Sequence, residues 1–570
     1  MRFHTNIQEK SLPELEWVAW PYIDTLYDYV KFLRRGPIAS LPAKGGDPQV
    51  AVVGAGAAGL VAAYELLKIG AKPVIYEASD RIGGRAYSLP FHESDGRESP
   101  TDFAEMGAMR FPPSCRTLFY YVNEVFNLEV FDQFPDPGKV PTVLYYKNKV
   151  INWPAGQDSP EEFKQIAKDW RDLCCSFTEP LYKAWKAAQA SGDWQRVKAT
   201  WQNYIDRYKD ISFYSAVEQG IPNWSAEDLE RFGTLGIGSG GFGPMYPVNF
   251  LEILRIIVNM WEENQQLLTR GINILMEKFY SEPVTLPDGS ETSLKGIGAL
   301  QKNQQVNGIE IGEDGNPILH FGPIGRAPTE SRPYGAVIVA TTTRAMDIMS
   351  LTLPSGRDLN PDTEVVNERV KEASRRLHLM NSSKLFIRTE TKFWKNDTEI
   401  PQNIQTDALP RGTYALDYPQ TDHGIVLFSY TWGDDSAKLL GLTKQERFDL
   451  FKKTIAKASQ KFAENLVPIN GEVLAIDWQT EPYYYGAFHL NDPGQEGSNH
   501  AVYYQFLSAL DRETDRGVYL AGDSVSWSGG WIEGAIHTGI NAACAAAKRI
   551  GATLREESPL SQKPSMYKYF

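Results

Sequence analysis

The chain has 570 residues, of which 42% are hydrophobic and 12% aromatic, enough for a large interior spread over two or three domains. Its formal charge of −13 argues against nonspecific binding of nucleic acid or anionic membranes and points to small-molecule partners. The four cysteines, Cys115, Cys174, Cys175 and Cys544, show no metal-ligand spacing and are too sparse for a disulfide framework, as expected in a reducing cytoplasm.

The first residues, Met1-Arg2-Phe3-His4-Thr5-Asn6, lack the apolar core of a signal peptide, and no apolar run has the length of a membrane span. Residues 1–44 read as an N-terminal arm. Helical spacing over residues 22–35 ends at Gly36-Pro37. The apolar run at 50–53 then reads as a buried strand, and the pattern from Leu60 onward as a helix. Between them stands Gly54-x-Gly56-x-x-Gly59. Gly54 permits the turn, Gly56 admits a pyrophosphate, Gly59 allows close packing, and the helix start at Ala57 and Ala58 offers free N–H groups. A second strand at 73–77 ends in Glu77, at the ~20-residue spacing of a ribose-binding carboxylate. An ordinary strand-end carboxylate is the alternative. Ala78 then leads into Arg81-Ile82-Gly83-Gly84-Arg85, where two arginines flank two glycines, able to meet a diphosphate.

Residues 116–260 are largely amphipathic helix, as at 160–172 and 193–208, with a strand-like Thr142–Tyr146 ahead of them. A β-like region at 294–321 leads to a buried strand near 336–339. Alternating stretches between 377 and 489 suggest a sheet crossed by a helix at 444–465. A last strand ends at Gly522-Asp523, and Gly530-Trp531-Ile532 opens a helix running to about residue 550. That helix start would favour negative charge on a bound cofactor, and Asp523 is placed to hydrogen-bond such a group or simply to cap the helix. No Ser-His-Asp order, metal cluster or Walker loop competes.

The Arg-x-Gly-Gly-Arg segment after the second strand resembles that of the flavin amine oxidase family, which binds FAD. Further matching segments follow in one order, among them Glu105-Met106-Gly107-Ala108-Met109-Arg110, Ser382-Ser383-Lys384-Leu385-Phe386, Arg411-Gly412-Thr413-Tyr414, Gly486-Ala487-Phe488-His489 and Gly529-Gly530-Trp531-Ile532-Glu533. Within the family they are most similar to bacterial members that oxidise an L-amino acid and decarboxylate it to an amide.

The resemblance implies an α/β chain (α+β overall). A Rossmann-like FAD-binding domain would come from residues 45–115, 260–345 and 490–553, and a substrate domain from 116–259 and 346–489, with a tail at 554–570. FAD would be noncovalent, since no cysteine adjoins Trp531. The residues expected to hold it are Gly54, Gly56, Ala57, Ala58, Gly59, Glu77, Ala78, Arg81, Gly84, Arg85, Gly107, Ala108, Met109, Arg110, Ile297, Gly522, Asp523, Gly530, Trp531 and Ile532.

For the substrate, Arg110 offers a bidentate fork to an α-carboxylate, a structural ion pair being the plainer alternative. By resemblance Tyr414 assists it, and Trp478, Phe488, Trp531, Phe242 and Trp261 wall the side-chain space. Lys384, inside an apolar strand, is costly to bury without a task; by resemblance it holds a water and assists the reaction with oxygen. The loop at 236–247 carries no carboxylate, which disfavours a basic substrate. The expected partners are therefore an L-amino acid with a large apolar or aromatic side chain and O2, with no nucleic acid, no membrane, and a homo-oligomer such as a dimer. The first expectation is oxidation of L-tryptophan to indole-3-acetamide, CO2 and water. An oxidase releasing 2-oxo acid, ammonia and H2O2 is the alternative, and an oxygen-inert flavoprotein a third.

Overall fold

In the computed structural model residues 22–42, 49–235, 241–262, 264–349, 364–562 and 567–569 are described. Most of the arm expected at 1–44, the glycine run at 236–240 and part of the tail lie outside them. The short β-branched strand Gln49–Val53 is fully buried at Val50, Ala51 and Val52 because both of its faces are covered. It sits centrally in a parallel five-stranded sheet of order Leu300–Gln301, Lys72–Tyr76, Gln49–Val53, Ala336–Val339, Val518–Leu520.

Val50 and Val52 face the helices Ala57–Lys68 and Ile532–Arg549, whereas Ala51 and Val53 face an antiparallel sheet of Val306–Ile311, Pro317–Phe321 and Glu330–Pro333. The two helices pack closely: a Cβ on Gly539 would stand 2.5 Å from the Ala58 carbonyl oxygen.

A second sheet has the order Val473–Asp477, Ser382–Thr389, Gly424–Trp432, Gly412–Leu416, Asn403–Thr406, Thr142–Tyr146, Lys149–Trp153. All its pairings are antiparallel except that of Thr142–Tyr146 with Asn403–Thr406. Every residue of Ser382–Thr389 is buried. Leu385 and Ile387 pack under the helix Lys444–Ala458, while Phe386 faces Met106 and Trp478. The two-residue period of a strand therefore turns Lys384 toward Met106 and Trp478 as well.

Between the Thr142–Trp153 hairpin and the return to the first sheet lies a bundle including Glu161–Ser191, Gln195–Tyr208, Phe213–Gly220, Ala226–Thr234 and Phe250–Val258. Two helices are shorter than their spacing suggests. Within 22–35 only Tyr29–Arg34 is helical, because Asp28 caps it and Leu26 adopts φ +48. The run at 444–465 breaks at Ser459, extended at φ −153, whose hydroxyl caps the following turn.

Arg255 ties these parts together. Its guanidinium, 1% exposed, meets Asp24 of the arm at 3.1 Å, Glu252 at 2.8 Å and Glu496 at 2.7 Å. Asp24 also accepts from the Trp201 indole at 3.1 Å and from the Tyr569 hydroxyl at 2.9 Å. Removing the one cation from buried carboxylates leaves uncompensated charge, so Arg255→Met is expected to cost about 3–5 kcal/mol in chemical denaturation; a loss under ~1 kcal/mol would contradict this. Burial pushes Glu252 up to about 8 from 4.5. A folded-state value above the unfolded one means that Glu252's own contribution to stability is complete below pH 4.5 and is lost as pH rises through about 8.

Candidate active site

One cleft, about 1410 Å³ including its open mouth, runs from the glycine turn of the first sheet to the Ser382–Thr389 strand of the second. At the turn Gly54 has φ +103, and a Cβ there would stand 2.6 Å from the Ala340 carbonyl oxygen. A Cβ on Gly59 would come within 2.0 Å of the Gly54 oxygen, so only glycine lets the helix start so near the strand. Gly56 and Gly84 face each other across the cleft wall: a Cβ on Gly84 would lie 3.1 Å from the Gly56 Cα. Bare backbone is thus presented to whatever lies along the turn.

The buried Glu77 carboxylate accepts from the Ala55 N–H at 2.8 Å, the Ser79 N–H at 2.9 Å and the Ser79 hydroxyl at 2.7 Å, and it lines the cleft. Opposite, Asp523 accepts from the Arg85 guanidinium and from the His489 N–H. The start of the Ile532–Arg549 helix also opens here, with Gly530, Trp531, Ile532 and Ala535 on the wall. A buried carboxylate, a glycine cradle and two helix N-termini in one long cleft are a set of groups suited to a dinucleotide.

At the other end Lys384, 2% exposed, donates to the Glu105 carbonyl at 2.9 Å and the Gly107 carbonyl at 2.6 Å. Its nitrogen lies 4.6 Å from the Tyr430 ring centre. Burial lowers Lys384 to about 7 and raises Glu105 to about 7. The Glu105 carboxyl accepts from the Ile272 N–H and the Ser88 hydroxyl, both at 2.9 Å. Lys384 thus keeps one of its three N–H directions for the cleft. Gly107 can be nothing else, since a Cβ would stand 1.6 Å from the Arg85 oxygen. Around this end stand Tyr430, Trp478, Phe488 and Trp531, with Trp478 anchored by a 2.9 Å bond to the Met106 carbonyl. Among the described residues lining the cleft, Glu77 and Asp523 are the only carboxylates, and both lie at its dinucleotide end.

The structure brings to the cleft Gly54, Gly56, Ala57, Ala58, Glu77, Ala78, Gly84, Arg85, Gly107, Ala108, Lys384, Trp478, Phe488, Gly522, Asp523, Gly530, Trp531 and Ile532. Other expected residues do not line it. Gly59 stands behind the turn. Arg81 stacks on Tyr87 at 3.8 Å and donates to the Gly84 carbonyl at 2.7 Å, holding the loop from behind. Met109 is buried in the core beside Phe134.

Two assignments are corrected. Phe242 lies in the aromatic core of the helical bundle, stacked on Phe232 at 4.4 Å and packed against Trp170 and Phe213. Ile297 is 36% exposed on a surface turn, and the nearby segment that reaches the cleft is Gln304, Gln305 and Val306.

Arg110, Tyr414 and Trp261 lie just behind the aromatic end. Arg110 is buried 3.5 Å from Glu262 and 5.1 Å from the centre of the Phe134 ring. The Tyr414 and Tyr430 hydroxyls and the Asp136 and Glu262 carboxylates share its electrostatic surroundings, and the carboxylates raise its pKa against the effect of burial. Tyr414 is fully buried, accepts from Gln405 at 3.0 Å, and has its own pKa raised by burial. Trp261 lies 5.7 Å behind Trp531.

Residues not foreseen include Tyr430, Glu105, Glu262 and the run Tyr483, Tyr484, Tyr485. In that run Tyr483 and Tyr485 adopt φ +73 and +58, a costly conformation of a kind that concentrates at ligand sites. The triple tyrosine was the available signal; nothing local marked Glu262.

The chain belongs to the flavin-containing amine oxidoreductases, whose family model matches residues 57–547. It is accordingly an enzyme of flavin-dependent oxidation, with FAD as cofactor. Full-length relatives are tryptophan 2-monooxygenase of Pseudomonas savastanoi, 38% identical over 96% of this chain and 99% of that one, and tryptophan 2-monooxygenase of Pantoea agglomerans pv. gypsophilae, 38% identical over 96% and 98%. A phenylalanine 2-monooxygenase precursor from Pseudomonas sp is 23% identical over 89% and 87%.

Among solved structures, putrescine oxidase bound to putrescine shares the fold with a TM-score of 0.63 at 16% identity, covering 87% of this chain and 98% of that one. Cyclohexylamine oxidase from Brevibacterium oxydans IH-35A matches with a TM-score of 0.61 at 19% identity, over 88% and 99%.

Gly59→Ala is expected to lower flavin occupancy of the purified protein at least about tenfold, because the 2.0 Å approach forces the helix start off the turn. The ratio of flavin absorbance to protein measures this; full occupancy would contradict it.

Proposed function

We propose that this enzyme oxidises L-tryptophan and decarboxylates it to indole-3-acetamide, CO2 and water, consuming one O2. The observation that carries the reading is the pairing of one buried lysine with aromatic walls at a cleft end where, among the described residues, no carboxylate lines the wall. Such an end suits a large apolar side chain and penalises a second ammonium, for which none of the described lining residues is a counter-ion. The relatives named for tryptophan, matched over nearly their whole length, support the same substrate.

Bound FAD supplies a two-electron acceptor for the α-C–H bond and returns the electrons to oxygen. In our reading Arg110, behind Tyr430, receives the α-carboxylate with its fork, and Tyr414 adds a hydroxyl. Trp478, Phe488, Tyr430 and Trp531 exclude water and hold the ring. Lys384 is anchored to two carbonyls and aims its third position into the cleft. In its charged form it steadies negative charge developing on oxygen or an ordered water.

Because burial lowers Lys384 to about 7, the cation is present below that pH and lost above it. The expected result is a kcat/KM for O2 that is flat below about pH 7 and falls about tenfold per unit above it. A profile unchanged from pH 6 to 9 would contradict this role. The four free thiols support placement in a reducing cytoplasm.

Product analysis in air decides between amide formation and the oxidase outcome. Indole-3-acetamide and CO2 formed one for one with O2 are expected. Stoichiometric H2O2 with the 2-oxo acid would replace this reading by the oxidase one.

A further inference from the structure

Arg110 and Glu262 face each other at 3.5 Å with side chains 10% and 7% exposed. That is longer than the 2.7–2.9 Å of a charge-assisted hydrogen bond, so Glu262 neutralises the guanidinium from a distance rather than by a fork-to-fork pair. Glu262 directly follows Trp261, whose ring backs Trp531 on the cleft wall at 5.7 Å. Among the described residues, other ionisable groups that influence Arg110 include Asp136 and the Tyr414 and Tyr430 hydroxyls, and Arg110 in turn acts on Lys384.

We propose that Glu262 is a specificity-determining residue: its charge beside Arg110 makes the site refuse a bare carboxylate and accept one only when an α-ammonium comes with it. The inference rests on the amino-acid reading above, in which Arg110 receives the α-carboxylate. Glu262, with the Asp136 carboxylate beyond it, already offsets the Arg110 charge before any ligand arrives. A zwitterion adds no net charge to this buried region, whereas a ligand carrying a carboxylate alone leaves one negative charge uncompensated. A 2-oxo acid or a deaminated acid is then disfavoured although Arg110 is present, and a neutral amide is not. The filter thus separates amino acid and amide from the acids that resemble them.

The test is titration of the FAD holoenzyme, followed by perturbation of flavin absorbance, with indole-3-propionate (carboxylate alone) and tryptamine (ammonium alone). Glu262→Gln is expected to bind indole-3-propionate roughly a hundredfold tighter, the size expected for deleting a unit charge about 6 Å away at an effective dielectric near 20. Tryptamine should bind no tighter, and Glu262→Asp should keep the wild-type preference. Unchanged or weaker binding of indole-3-propionate by Glu262→Gln overturns the proposal.

Should that variant not fold, the wild-type holoenzyme answers by itself. Indole-3-propionamide should bind at least as tightly as indole-3-propionate, and a tenfold advantage for the acid overturns the proposal. Bleaching of the wild-type flavin by L-tryptophan under nitrogen separates the two failures. If it is absent, the amino-acid reading falls; if it is present without the Glu262 effects, only the filter does.

Discussion

Lys384→Met should lower kcat/KM for O2 by about 10²–10³-fold, the cost of removing one preorganised charge from a dry site, while anaerobic bleaching of the flavin by L-tryptophan changes far less. The side chains are similar in length, the strand is wholly buried, and Leu385, Phe386 and Ile387 after position 384 are apolar, so the variant should fold. The dependence on pH above about 7 should vanish with the lysine. Stopped-flow mixing of the reduced enzyme with oxygen measures the first effect directly. An oxygen reaction as fast as in the wild type would move Lys384 to a purely structural role as the bond between Glu105, Gly107 and the second sheet.

Arg110→Ala should weaken productive binding of L-tryptophan by about 2–5 kcal/mol, at least ~30-fold in KM, because a buried charge pair loses one member. Arg110→Lys should recover little of this, since an ammonium keeps the charge but not the planar fork. Tryptamine binding should not weaken, and should tighten as the Glu262 charge loses its partner; that contrast separates a carboxylate clamp from a residue that merely holds the fold through Glu262 and Phe134. Equal losses for both ligands would argue for the structural role.

The dinucleotide end of the cleft was legible in the sequence because its chemistry is local. Gly54, Gly56 and Gly59 are fixed by backbone clearance within a few residues, and Glu77 by the length of one strand–helix–strand unit. The substrate end was less so. Whether Phe242 faces a cleft or a core depends on its packing against Trp170 and Phe213, which are distant in the chain. Ile297 failed for a similar reason: the segment entering the cleft begins several residues later, at Gln304. Lys384 stood out as a charge in an apolar strand, but its partners, the Glu105 and Gly107 carbonyls, lie some 280 positions away. Glu262 carried no local mark, and only its approach to Arg110 gives it meaning.

The same contrast explains the boundaries. The cap at Asp28 and the break at Ser459 are side-chain-to-backbone bonds that hydrophobic spacing does not report. The join at Arg255 draws on residues from 24 to 569, which no window along the chain could assemble.

The central claim is that one cleft holds FAD along the glycine turn and an L-amino acid between Lys384 and the aromatic walls, with Arg110 taking its carboxylate. Anaerobic titration of the yellow holoenzyme with L-tryptophan and, separately, with tryptamine tests it most directly. The account predicts full bleaching near one equivalent of L-tryptophan and none with tryptamine; an absorbance left unchanged by L-tryptophan, or lost equally with both, would contradict it.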